Sequence, residues 1–307
     1  MPSVFVIIPV FDRKAITLQC LEQLRSNGDL DWVKVLVMDD NSPDGTAAAI
    51  EEIYPEVKVL RGDGNLWWTG GIKWGMEHAC QNGADFMVWL NDDCLPAPGS
   101  LRTLVEHATK TGSITLSAAY QGGSYYGGFL KTRSGLKLLP FLPQELQSCD
   151  TFNGNFVCIP RSVVDAVGFP DAKSLPQCYA DSDYGLRATL AGFRATIVGS
   201  AKSWNRSDAT PTNRSILKEK VAPMTVLKSW RWKKSACYLP ALWTYKTRHW
   251  RTFGVFLFFF ETLSPLILSV WAAYAPAGFR LWPSTVKQWY QRRRHKDRNL
   301  NHIDDKV

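Results

Sequence analysis

Asn91-Asp92-Asp93 follows the apolar run Phe86–Leu90 without a gap. Carboxylates clustered on a loop can hold a hard divalent cation, and such a cation bridges the two phosphates of a nucleotide. The competing reading, a cap for a helix beginning near Ser100, is weakened by the residues between. Cys94 adjoins the cluster and reads as packing, because a hard metal prefers oxygen. A second cluster, Asp39-Asp40-Asn41-Ser42-Pro43-Asp44-Gly45-Thr46, also follows an apolar run. Its carboxylates can accept hydrogen bonds from a nucleobase imide or a ribose hydroxyl. Its Asp, Asn and Ser also make good helix caps, and Asp44-Gly45 is a common turn. A third, Asp181-Ser182-Asp183-Tyr184-Gly185-Leu186-Arg187, opens a helix that Gly192 closes. A carboxylate against the positive end of a helix stays ionised and can take a proton from an attacking hydroxyl. The plainer alternative makes Asp181 an N-cap and Asp183 a first-turn acid. Finally, Arg61-Gly62-Asp63-Gly64-Asn65-Leu66-Trp67-Trp68-Thr69-Gly70-Gly71 reads as a glycine-rich loop leading into a helix whose N-terminus can face a phosphate. It matches neither the Walker nor the dinucleotide fingerprint.

The elements that must carry these clusters are legible from periodicity. Apolar runs at 4–10, 33–38, 57–60, 86–90 and 114–118 are nearly continuous, as in strands buried on both faces of a parallel sheet. Helical patterns lie near 14–26, 44–53, 70–82 and 99–111, and Gly28, Gly83 and Gly112 stop three of them. Repeated β-α-β units predict a Rossmann-like, mostly parallel α/β sheet with flanking helices, whose ligands gather at the carboxyl ends of the strands. Residues 121–128 read as a flexible, aromatic-bearing loop. Strands at 156–159 and 195–198 and helices near 161–167 and 182–191 follow.

The chain has 307 residues, 45% hydrophobic and 21% charged, with a net charge of +8 and a pI near 9.1. That is a globular composition able to bury a core, and its positive balance favours anionic partners without choosing among them. Seven cysteines, an odd number with no CxxC pair, point to a reducing compartment. The opening Val4-Phe5-Val6-Ile7-Ile8-Pro9 reads as a strand rather than a secretory signal.

Taken in order, Ile8-Pro9-Val10-Phe11-Asp12-Arg13, Asp39–Thr46, Gly64-Asn65-Leu66-Trp67, Asn91-Asp92-Asp93 and Asp181–Arg187 resemble family 2 glycosyltransferases of the GT-A fold, over residues 3 to about 205. Within that family the pattern is most like bacterial rhamnosyl- and galactofuranosyltransferases, the latter especially in Asp183-Tyr184-Gly185-Leu186-Arg187. The resemblance implies an inverting, metal-dependent transfer from a nucleotide-diphosphate sugar, dTDP-rhamnose or a UDP-sugar, to an acceptor hydroxyl. It implies that Pro9, Phe11 and Asp12 line the nucleobase pocket, that Asp40 contacts the base, and that Asn65 touches the donor. Asn91, Asp92 and Asp93 stand at the DxD position, with Asp93 the ligand of a divalent cation, Mn2+ or Mg2+. Asp181 matches the catalytic base, supported by Asp183 and Arg187. Many relatives carry a metal-binding histidine after the last strand; here Asn205 takes that place, and its amide oxygen is a weaker ligand.

From about 216 the character changes, giving a catalytic region 1–215 and a helical, basic and aromatic region 216–307. Residues 252–279 hold one charge, Glu261, with Pro265 and Pro276 within and the basic run 291–296 beyond. That stretch is long enough to span a bilayer. Its basic and aromatic flanks favour an interfacial hairpin or amphipathic helices on an anionic leaflet, peripheral to the cytoplasmic face of a bacterial inner membrane. The alternative is a helical layer packed on the enzyme or in a homodimer interface. Membrane contact suits a polyprenyl-linked or other glycan acceptor. Two other readings are a polyprenyl-phosphate glycosyltransferase and a non-catalytic nucleotide-sugar-binding scaffold of the same fold. Nucleic acid is not an expected partner, because the positive charge concentrates beside apolar residues in the tail.

Overall fold

The computed structural model describes residues 2–121, 124–139, 145–205 and 222–274. Gly122, Gly123, Arg206, Pro276 and the basic run 291–296 lie outside them. In chain order the elements are β1 (Val4–Val10), α1 (Lys14–Ser26), β2 (Lys34–Asp39), α2 (Thr46–Ile53), β3 (Lys58–Arg61), α3 (Trp67–Gln81), β4 (Phe86–Leu90), β5 (Cys94–Pro96), α4 (Ser100–Thr111), β6 (Ile114–Gln121), β7 (Ser124–Tyr126), β8 (Gly128–Thr132), β9 (Gly135–Leu138), β10 (Leu146–Cys149), β11 (Thr151–Phe152), β12 (Phe156–Pro160), α5 (Arg161–Val167), α6 (Ala180–Leu190), β13 (Ala195–Asn205), α7 (Pro223–Ser229) and α8 (Leu239–Tyr274).

The main sheet runs β10-β13-β6-β12-β4-β1-β2-β3. β1, β2, β3 and β4 are parallel, as are β6 and β13, while β12 runs antiparallel between β4 and β6. The five expected strands are β1, β2, β3, β4 and β6, and the four expected helices α1 to α4, each within three residues of where the periodicity puts it; the short β5 was not expected. Gly28, Gly83 and Gly112 take φ of 71°, 74° and 66°, the left-handed turn that ends a helix without cost to glycine.

The continuous apolar runs are explained by packing on both faces. In β1, Val4, Val6, Ile8 and Val10 join a core under α1, α2 and α4, while Phe5 and Ile7 join another under α3, α5 and α6. β4 divides likewise, Val88 and Leu90 from Met87 and Trp89. Each such fully buried side chain contributes about 1.5–3 kcal/mol. Helix α3 approaches β1 closely because Gly75 faces Ile7, where a Cβ would lie 2.4 Å from the isoleucine methyl.

Three local readings are corrected. The helix expected near 70–82 begins three residues earlier, so Trp67, Trp68 and Thr69 lie inside α3 rather than in the loop before it, and a Cβ on Gly71 would stand 3.2 Å from Pro9. The region after β6 is paired rather than a free loop: β7 forms a hairpin with β6, and β8, β9 and β11 make a second sheet. Alternate glycines and aromatics hide a strand period. The tail does reverse, but at Arg251 rather than within 252–279: Trp243 meets Phe258 (5.1 Å between ring centres) and Lys246 Nζ pairs with Glu261 Oε1 at 2.5 Å, so the two halves of α8 lie against each other. α8 runs through Pro265, which removes one N–H from the ladder without reversing the chain, and its break falls at Arg251 (φ 50°, ψ −128°). Before the break, Ala241, Tyr245 and Trp250 pack on Leu175, Ala180 and Leu186 beside α6. After it, Phe253, Phe256, Phe259, Phe260 and Ile267 are exposed. Among the described residues Leu239–Trp271 has the length and apolar composition of a membrane-crossing helix, with 22% of its most apolar window buried, although the break at Arg251 divides it.

Candidate active site

The register of β1 and β2 sets Val10 beside Asp39, and β4 runs parallel to β1. Phe11, Asp40 and Asn91 therefore leave the same edge of the sheet. A cavity of about 440 Å³ opens there, lined by Pro9, Val10, Phe11, Arg13, Ile16, Met38, Asp40, Gly64, Trp67, Trp68, Gln177 and Lys234. Of the expected donor residues, Pro9, Phe11 and Asp40 line it directly.

Asp40 is 7% exposed, and its carboxylate is heavily used. Oδ1 accepts the N–H groups of Gly64 (2.8 Å) and Leu66 (3.1 Å), and Oδ2 accepts that of Trp67 (3.0 Å). Asp40 thus holds the loop that enters α3. Gly62 is required there, since a Cβ would meet Asp40 Oδ1 at 2.8 Å and the Leu66 side chain at 2.5 Å. The N–H of Trp68 goes to Gln177 Oε1 (3.1 Å) and that of Thr69 to the carbonyl of Pro176 (3.0 Å). The first turn of α3 is therefore capped by protein, and the expected phosphate contact at its N-terminus has no free N–H from these residues. Asn65 is exposed and does not line the cavity, although its neighbours Gly64 and Trp67 do. Asp12 has φ of 54°, and its N–H bonds Ser42 Oγ at 2.9 Å, tying the loop after β1 to the loop after β2.

At the end of β4 the three acidic-motif residues have different surroundings. Asn91 Oδ1 accepts the indole N–H of Trp68 (2.8 Å), and its Nδ2 donates to Asn155 Oδ1 (2.9 Å). An amide suits that double role, because a carboxylate cannot donate. Asp92 is 2% exposed, paired to Arg13 Nη1 at 2.9 Å and bonded by Thr17 Oγ1 at 3.2 Å. Burial pushes its pKa up to about 6, against the pull of Arg13. Asp93 gives one oxygen to Arg13 Nη2 at 3.1 Å.

Across the β5–β13 pairing, Asn205 stands opposite Cys94, next to Asp93. Its Oδ1 is buried and has no hydrogen-bond partner. An orphaned amide oxygen is a donor of the kind a hard divalent cation takes, whereas Asp93 already faces the Arg13 guanidinium. Among the described residues no three His, Cys, Asp or Glu side chains group around a metal position. Asp93 and Asn205, the expected ligands, lie at adjoining backbone positions across the β5–β13 pairing.

Asp181 opens α6 after Tyr179, whose φ of 70° turns the chain into the helix. Its Oδ2 accepts the N–H of Gly154 at 2.9 Å and its Oδ1 that of Ser182 at 2.7 Å. Burial raises its pKa above the usual carboxylate range, and those bonds oppose the shift. Gly154 lies against both Asp181 and Trp68: a Cβ there would stand 2.7 Å from the indole ring and 3.2 Å from Asp181 Cβ. Asp183, fully buried, accepts His249 Nε2 (2.8 Å) and Arg248 Nη1 (2.9 Å) on one oxygen and Arg187 Nε (2.9 Å) on the other. Burial works to raise its pKa, but these donors outweigh it and hold the carboxyl below its ordinary value.

The sequence reading missed Gln177, Lys234, Gly154, Asn155, Arg248 and His249. Asn153-Gly154-Asn155 is a visible turn signal, but nothing local pairs it with residues about 60 positions upstream.

Comparison with known proteins agrees with this fold. The model of the family described as glycosyl transferase family 2 matches residues 5–163. The chain is similar to the GalNAc(5)-diNAcBac-PP-undecaprenol beta-1,3-glucosyltransferase of Campylobacter jejuni, 26% identical over 115 residues, which is 36% of this chain and 36% of that protein. The match thus spans little more than a third of the curated relative. Among solved structures it resembles GalNAc-T7 with UDP, GalNAc and Mn2+ (14% identity, 87% of this chain and 58% of the other, TM-score 0.56). It also resembles the mannosyltransferase PcManGT of Pyrobaculum calidifontis with GDP-Man and Mn2+ (15%, 94% and 80%, TM-score 0.54). TarS of S. aureus with UDP-GlcNAc is a third (12%, 81% and 73%, TM-score 0.52). At these identities the solved structures establish the shared fold.

Proposed function

The chain belongs to glycosyl transferase family 2, and on that premise we propose that it is an inverting transferase of a sugar from a nucleotide-diphosphate donor, dTDP-rhamnose or a UDP-sugar, to a hydroxyl of a lipid-linked or cell-surface polysaccharide acceptor. The observation that carries the reading is the position of Trp68. Its indole bonds Asn91 at the donor edge, and its ring lies against Gly154, whose N–H holds Asp181. One side chain thus joins the donor motif to the base.

In this reading the nucleobase enters the cavity beside Pro9 and Phe11, with Asp12 at its rim and Asp40 fixing the loop that shapes it. Asp181 takes the proton of the acceptor hydroxyl as that oxygen bonds the anomeric carbon. The bond from that carbon to the diphosphate breaks on the opposite face, which inverts configuration. Burial makes Asp181 a stronger base than a free carboxylate. Asp183, Arg187, Arg248 and His249 hold the helix that carries it. Asp93 and Asn205 are the residues that would hold Mn2+ or Mg2+, which supplies positive charge for the departing diphosphate. The exposed phenylalanines of α8 lie peripherally on the cytoplasmic face of the membrane, where a lipid-linked acceptor is available.

Calorimetry with UDP-sugars, dTDP-rhamnose and GDP-sugars, each with and without manganese, tests the reading. Tight, metal-dependent binding of one donor supports it. Folded protein that binds none of them overturns it.

A further inference from the structure

A second groove, of about 630 Å³, opens where α8 breaks at Arg251. Lys131 and Arg133 line it from the β8–β9 hairpin, and His249, Trp250, Arg251 and Phe253 line it from α8. The two sides are fixed to each other, because the indole N–H of Trp250 donates to the carbonyl of Thr132 at 2.8 Å. Lys131 Nζ stands 5.5 Å from the centre of the Trp250 ring. Among the described residues, no carboxylate pairs with the side chains of Lys131, Arg133 or Arg251. The neighbouring acids are occupied elsewhere: Glu261 by Lys246 at 2.5 Å, Asp183 by Arg187, Arg248 and His249, and Asp150 by the backbone N–H of Lys131 at 2.7 Å. His249 is 5% exposed, and its Nδ1 has no partner. The groove therefore brings together three cations whose side chains have no carboxylate partner among the described residues, chemistry suited to a phosphate oxyanion.

What leaves the groove along α8 is apolar. Phe253 stacks on Phe256 (5.8 Å between ring centres) and Phe256 on Phe260 (6.5 Å), all three exposed. Cations at one end of an exposed hydrocarbon-like stripe match an amphiphile with an anionic head and an apolar chain. On its inner side the groove reaches the base through a short path, His249 bonded to Asp183, two residues along α6 from Asp181.

We propose that this groove binds the diphosphate headgroup of a lipid-borne acceptor, with its hydrocarbon chain running along Phe253, Phe256 and Phe260. The proposal rests on the lipid-linked acceptor of the reading above. It places the acceptor's phosphates apart from the donor cavity, on the tail side of α6.

The test is vesicle co-sedimentation with the full chain. Neutral phosphatidylcholine vesicles carry either polyprenyl diphosphate or phosphatidylglycerol at equal total charge, and inorganic pyrophosphate serves as a soluble competitor. The expected result is binding to the diphosphate vesicles about tenfold tighter than to the phosphatidylglycerol vesicles, with that preference lost in the double variant Lys131→Glu, Arg133→Glu. Arg251→Gln should lose part of it. Equal binding to the two vesicle types would mean a general anionic surface and would overturn the proposal. So would complete displacement by pyrophosphate at equal phosphate concentration, or an unchanged preference in the double variant. Donor calorimetry on the same proteins separates the two readings. Donor binding without a diphosphate preference sinks the groove alone, and a diphosphate preference without donor binding sinks the transferase reading alone.

Discussion

The indole N–H of Trp68 donates to Asn91 Oδ1 at 2.8 Å, and the ring of the same tryptophan stands edge-on to Trp89, 5.6 Å between centres. The donor motif is thereby fastened to the buried face of β4's own sheet. Trp68→Phe keeps the packing and removes the donor, so it should cost about 1–3 kcal/mol through the unsatisfied amide oxygen. Trp68→Leu should cost more, because the aromatic contact goes too. Urea denaturation of the two variants gives the comparison, and equal losses would show that the aromatic contact contributes nothing.

Asp181→Asn separates catalysis from binding. Turnover should drop about 10²–10⁴-fold, the usual worth of a positioned base, while calorimetric donor affinity stays within a few-fold. Undiminished turnover would remove Asp181 from the chemistry.

The acid limb of the rate profile should report the same residue. Asp181 must be ionised to accept a proton, and burial raises its pKa. Activity should therefore fall, as pH drops, at a pH above that of an ordinary carboxylate, about 4. A limb at or below that value in kcat/KM would contradict the assignment.

Gly154→Ala places a methyl group against the Trp68 ring and Asp181. The expected outcome is a loss of about 1–3 kcal/mol in stability from overpacking and a fall in kcat exceeding any change in donor affinity. Wild-type kcat would show that the base does not depend on this contact.

Asp183 governs acid stability. Its folded pKa lies below the unfolded value, so its contribution is present above about pH 4 and is lost as pH falls through the folded pKa. Asp183→Asn should cost about 3–5 kcal/mol near neutrality, since it leaves Arg187 and Arg248 facing a neutral amide. The deficit should shrink toward low pH. Denaturation midpoints from pH 3 to 7 would show a constant deficit if the loss were packing alone.

Most of the sheet was legible because its strands are buried on both faces, so that β1 and β4 stand out as uninterrupted apolar runs. The acidic clusters were legible for a related reason: parallel strands deliver their following loops to one edge. What escaped was whatever depends on contact between distant segments. Asp40 looked free to meet a base, and only the fold shows that Gly64, Leu66 and Trp67 claim its oxygens. Lys234 lines the donor cavity from beyond the last strand, and no pattern near Phe11 announces it. The pairing of β6 with β7 was hidden by glycines that carry no side-chain period.

The charge at Asp183 belongs to two parts of the chain at once, because α6 supplies one of its cations and α8 supplies another along with a histidine. A chain shortened before α8 would keep the acid and lose two of its three partners, leaving an anion with little to answer it inside a dry interior. Loosening the tail and loosening the catalytic helix are then one event, so exchange protection in the two should rise and fall together. A protein built this way senses through its own stability whether its tail is seated.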